Sequence, residues 1–123
     1  MIILFITDST ISPLFANNST TICKKKRILV NHIPLWGNGD KYQPSAELWM
    51  PLLKEARFDI GLSGHTHRFR YHPTGDVANP FPVCIGGAPN ISSATMMVLC
   101  KKGDNLALRV INAKGEELGT WPL

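Results

Sequence analysis

The stretch DIGLSGHTHRF, residues 59–69, carries an apolar run to Ser63 and then delivers Gly64 and two histidines one residue apart, His65 and His67. A continuous apolar run of this length, bounded by a turn, reads as a strand covered on both faces, as in an α/β protein. Gly64 leaves the backbone able to take an otherwise strained path into the histidines. Neutral imidazole ligates zinc, manganese or iron, and needs a neighbour to fix which nitrogen holds the proton. Two histidines two apart point the same way from an extended segment. In a tight turn they diverge and address different ions.

The same pattern recurs upstream. Residues 27–31 read as a second short buried strand, and it ends at His32. The turn formers at 34–40 make a loop, after which Ser45 is placed to cap a helical turn over 46–50. Pro51 suits the first turn of a second helix over 52–57 better than the middle of one long helix. Strand, loop, helix and strand (58–63) in this order suggest a crossover unit, which brings His32 and His65 just beyond the C-terminal ends of two strands. Ligand sites of open α/β sheets lie at that edge. Three of the four histidines are expected to converge there, while His72, beside Pro73, is expected at the surface. Trp36, Tyr42 and Phe69 are near enough in sequence to line a pocket, although aromatics beside strands usually join the core.

Beyond His72 the texture changes. Pro73, Gly75, Pro80 and Pro82 break the chain into loop, and residues 83–85 form a brief strand stopped by Gly86 and Gly87. Residues 94–101, 105–112 and 117–121 read as three strands joined by turns at 102–104 and 113–116, an antiparallel meander. At the other end, the apolar residues 1–6 read as a strand leading into a polar loop through Thr21. That apolar stretch is cut short by Asp8, far below the roughly 20 residues that span a bilayer, so no membrane partner is expected.

Composition sets the outer limits. With 123 residues, 44% of them hydrophobic, the chain is one domain's worth and able to bury a core. Its net charge of +4 comes largely from Lys24, Lys25, Lys26 and Arg27. That run reads as a solvated lead-in to a strand, and without interleaved aromatics it offers single-stranded nucleic acid no stacking surface. No nucleic-acid partner is expected. Cys23, Cys84 and Cys100 form no CxxC pair, and so define neither a zinc ribbon nor a complete disulfide framework.

Residues 30–34, Val-Asn-His-Ile-Pro, and residues 63–67, Ser-Gly-His-Thr-His, together resemble two motifs of the calcineurin-like metallophosphoesterases: the His-x-Pro after a hydrophobic strand and the terminal Gly-His-x-His. The wording of residues 34–42 and 81–90 is similar to the purple acid phosphatase-like branch. The resemblance covers residues 27–123 and implies the C-terminal half of such a domain, with residues 1–26 an atypical strand and polar loop. The fold it implies is α/β, a partial metallophosphoesterase fold equal to one half of an α/β/β/α sandwich, ending in the antiparallel meander. It further implies that His32 and His65 ligate one metal of a dinuclear pair and His67 the other, the cofactor being a divalent transition metal (Zn, Mn or Fe). The implied reaction is hydrolysis of a small phosphoester.

The departures matter equally. The family's Asp-x-His, Gly-Asp-x-x-Asp and Gly-Asn-His-Asp/Glu motifs are absent from the sequence. Asp8 mimics the first, but Thr10 stands where its histidine belongs; Gly39-Asp40 mimics the second, but Gln43 stands where its aspartate belongs. An open shell of three histidines favours one Zn²⁺-like ion over two. Three readings therefore stand: a truncated or fragmentary phosphoesterase, a non-catalytic metal-binding or interaction module on the same half-fold, and a plain α/β domain with structural histidines. The half-fold carries one physical consequence. A sheet edge left exposed should drive homodimerisation or strand exchange.

Overall fold

The computed structural model describes residues 4–8, 26–37 and 43–123. Its elements in chain order are β1 (Leu4–Asp8), β2 (Ile28–Val30), α1 (Gln43–Ala56), β3 (Ile60–Ser63), β4 (Arg70–His72), β5 (Val83–Ile85), β6 (Thr95–Lys102), β7 (Asn105–Asn112) and β8 (Glu117–Pro122). They form two four-stranded sheets, ordered β2-β3-β5-β4 and β1-β6-β7-β8. The chain is thus a mixed α/β structure of two sheets and one described helix. No described helix is long and apolar enough to cross a membrane.

Strand periodicity explains the layering. On β3, Ile60 and Leu62 share one face and join Cys84, Met97, Leu99, Leu108 and Val110 in a core sealed between the sheets. Burial pushes the Cys84 thiol up to about 12, the behaviour of an inert core cysteine. Gly61 and Ser63 face the other way, toward α1, where Trp36, Ala46, Leu53, Phe81, Val83 and Ile85 make a second core. β2, β3 and β5 run parallel and β4 returns antiparallel at the edge. The layers thus follow in the order helix, mostly parallel sheet, meander sheet.

The meander appears as the sequence predicts, with strands shifted by at most one residue at an end. Gly103, at φ 59°, opens a two-residue hairpin between β6 and β7, the place where a II′ turn requires glycine. Gly115, at φ 83°, closes the next turn, while the Asn112 carboxamide oxygen accepts from the backbone N–H groups of Lys114 and Glu116. β1 extends this sheet by pairing parallel with β6, Leu4 opposite Met97 and Asp8 opposite Lys101. The polar loop predicted through Thr21 and the turn residues 38–42, Tyr42 among them, lie outside the described residues.

Two local predictions need correction. The helix is one, not two: α1 runs through Pro51, and Ser45 sits inside its first turn rather than capping it. Pro44 occupies that first turn, where a missing N–H costs little. Pro51 and Glu47, one turn before it, lie on the exposed side of the helix, where a missing ladder bond is tolerated, while Ala46 and Leu53 anchor the buried side. The helix ends with Arg57 in the left-handed region at φ 51°, and the Arg27 guanidinium donates to the Ala56 carbonyl. The second correction concerns β4. The sequence places residues 70–72 in no strand, and they pair with β5 as an edge strand.

Candidate functional site

The parallel ladder continues one step past the ends of β2 and β3. Asn31 N–H donates to the Leu62 carbonyl (3.1 Å), and Gly64 N–H donates to the His32 carbonyl (3.0 Å). These two bonds fasten the loops side by side, and the Asn31 carboxamide ends its strand by donating to the carbonyl of Ile33. The histidines just beyond must therefore meet. His65 Nδ1 lies 3.2 Å from His32 Nε2, with ring centroids 5.1 Å apart and planes inclined at 81°. Both residues are solvent-exposed.

That spacing has two chemical meanings. Two imidazole nitrogens about 2.0 Å from one tetrahedral ion stand roughly 3.3 Å apart. The same spacing also suits an N–H···N bond, with one ring the donor and the other the acceptor. One pair of nitrogens cannot do both at once, so a bound cation and a shared proton would exclude each other there.

The backbone here is strained on the histidines themselves. Thr66 N–H donates to the Gly64 carbonyl at 2.8 Å, closing a three-residue turn centred on His65, whose φ is 68°. A γ-turn of this positive-φ kind is rare, and a second left-handed residue, His67 at φ 60°, comes two residues later. The expectation that Gly64 would take the strained conformation is corrected: among the described residues the left-handed glycines are Gly37, Gly75, Gly103 and Gly115. Strain of this type persists where surrounding structure over-determines it, commonly at functional sites.

The convergence of three histidines is not met. Among the described residues, no group of three or more His, Cys, Asp or Glu side chains is placed to hold a metal ion. His32 and His65 come together, and exposed His67 does not complete such a group with them. Two imidazoles fit as ligands for zinc, manganese or iron, but they fall short of the three protein ligands a catalytic zinc ion takes.

Beside His32 opens a cleft of about 650 Å³, walled by Leu29, Asn31, Ile33, Trp49 and Leu53. Its aromatic wall is Trp49, which sequence reasoning passed over because nothing in a helix pattern says which turn faces a neighbouring loop. Trp36 belongs to the core instead, edge-on to Phe81 at 5.5 Å, and Phe69 packs toward Trp121. Ser63, 1% exposed and just before the motif, has a hydroxyl with no hydrogen-bond partner in the structure.

His72 is also corrected. Its side chain is largely buried in β4; Nδ1 stands 2.6 Å from Asp76 Oδ2, and Nε2 is buried without a partner. A side chain at Gly37 would collide with this imidazole. The i,i+4 spacing of His72 and Asp76 across Pro73 and Gly75 was the available signal. It marks a loop clamp, reinforced by the Asn79 carboxamide donating to the carbonyls of Pro73 and Phe81.

No family model matches the chain, and no curated protein matches it. Among solved structures, it is similar to wild-type Vps29 complexed with Zn²⁺ from Entamoeba histolytica, with 18% identity and a TM-score of 0.36. The match covers 69% of this chain and 47% of that one, so it spans about half the length of that neighbour.

Proposed function

We propose that this chain contributes the histidine side of a calcineurin-like metallophosphoesterase centre, acting on a small phosphoester. His32 through Nε2 and His65 through Nδ1 hold one divalent transition metal (Zn, Mn or Fe), and His67 is directed to a second. The observation that carries this reading is the 3.2 Å separation of the two imidazole nitrogens at paired strand ends. Ligation through these atoms keeps the proton of His32 on Nδ1 and that of His65 on Nε2. When bound, such an ion supplies Lewis acidity and an acidified water.

A second reading has its own support. With no group of three ligands among the described residues, the same pair suits a non-catalytic metal-binding module. Bound metal per chain, measured by plasma mass spectrometry on untagged protein offered zinc and manganese, tests both. About one or two ions per chain are expected, and the ion held by His32 and His65 should be lost in His32→Ala and in His65→Ala. Turnover of aryl phosphomonoesters and diesters by the loaded protein then selects the hydrolase, and its absence the binding module. A wild type that takes up no metal sinks both readings.

A further inference from the structure

Among the described residues, β2 bonds to β3 on one side and to no strand on the other. The Arg27 carbonyl and the Asn31 N–H are engaged with β3, so by the alternation of the ladder Ile28 and Val30 direct their N–H and C=O groups to the open side. Apolar surface adjoins this edge. On the α1 face of the sheet, Ile33 beside the edge is 39% exposed and α1 carries Trp49 at 51% and Leu52 at 58%, while Val30, opposite Leu62 and so on the other face, is 52% exposed. Exposed apolar side chains thus lie on both faces of the open edge, where a partner strand would cover them; a stable interface buries roughly 800 Å² per partner.

The usual defences of an edge are spent elsewhere. Lys26 is held by Asp59 at 3.1 Å, and the Arg27 guanidinium is turned back to the Ala56 carbonyl. Two other edges carry such defences: β8 has Pro122 and the Arg109–Glu117 ion pair, and β4 has Arg70.

We propose that this face binds a second copy of the chain, with β2 pairing antiparallel to β2 of that copy about a two-fold axis at Leu29. The register is set by which groups point outward. Ile28 lies opposite the partner's Val30 and exchanges both backbone hydrogen bonds with it, and Val30 does the same with the partner's Ile28. Leu29 then faces the partner's Leu29 in the non-hydrogen-bonded position. A two-fold axis normal to the sheet leaves both copies of α1 on one face, so the flank bearing Trp49 and Leu52 is covered across it. The histidine pairs sit at opposite ends of the joined strands, and the interface stands independently of any metal.

Sedimentation equilibrium of the full chain under reducing conditions tests this, with circular dichroism to check folding. The wild type should be a dimer. Val30→Pro removes an outward N–H that β3 does not use, and Leu52→Lys places charge on an exposed helix flank; both should be monomeric and folded. Leu29→Cys should form an intermolecular disulfide under mild oxidation, which the wild type does not. A wild type that stays monomeric at all concentrations overturns the proposal. So does a dimer that survives Val30→Pro in folded protein, since the strand register would then be wrong.

Discussion

In the meander sheet, the tight turns give their left-handed positions to glycine, Gly103 and Gly115. The connections of the parallel sheet give the same conformation to Arg57, His65, His67 and Ala78, although Gly37 and Gly75 also serve there. Unsatisfied polar atoms divide in the same way. Ser63 Oγ and His72 Nε2 both belong to strands of the parallel sheet. The meander is locally self-consistent from turn to turn, and the parallel sheet is the place where local rules are broken. Broken rules concentrated beside a pair of converging imidazoles point to a region shaped for something other than stability.

The largest expected effect tests whether stability does reside between the sheets. Leu108 is fully buried against both, and Leu108→Ala should cost about 3 kcal/mol in urea unfolding. Ile91, 85% exposed in a loop, provides the contrast: Ile91→Ala should stay within about 0.5 kcal/mol of wild type. Near-equal losses in the two variants would dissolve the distinction between a stabilising layer and its surroundings.

A smaller effect concerns the left-handed positions, where the two sheets should respond with opposite signs. Gly115→Ala meets nothing within 4 Å, so its cost is conformational alone, about 1 kcal/mol at φ 83°. His67→Gly should instead stabilise the protein by about 0.5 kcal/mol, because glycine accepts φ 60° without strain. The same urea titrations read both. A destabilised His67→Gly would mean that the ring makes contacts worth more than the strain it imposes.

The same contrast explains why part of the molecule was legible in the sequence. Strands β5 and β7 were readable to the residue because apolar runs and glycine turns agree there. The meeting of His32 and His65 was readable because neighbouring parallel strands end together, so residues just past their ends must be neighbours. β4 was hidden: Arg70-Tyr71-His72 has no apolar run, and only pairing to Cys84 and stacking of Tyr71 on Trp121 reveal it as a strand. The strain on His65 and His67 was hidden as well. Local preference assigns positive φ to Gly64, and tertiary hydrogen bonding between the two loops overrules it.

The smallest expected effect lies at the opposite end of β2 and β3, where the parallel sheet is held rather than strained. Burial works against the Asp59 carboxylate, yet the Arg27 N–H at 2.8 Å and the Lys26 ammonium at 3.1 Å together hold it below its ordinary value of 3.8. A carboxyl whose pKa is depressed on folding contributes stability that is present above its unfolded value and is lost as pH falls through the folded value. Asp59→Asn should therefore lower the Tm near neutral pH, and the gap from wild type should close as the pH falls below about 4. A gap that stays constant down to acid pH would show that Asp59 acts through its hydrogen-bonding shape, which asparagine keeps only in part, and not through its charge. The clamp would then share the logic of the meander turns, where Asn112 does similar work without a charge.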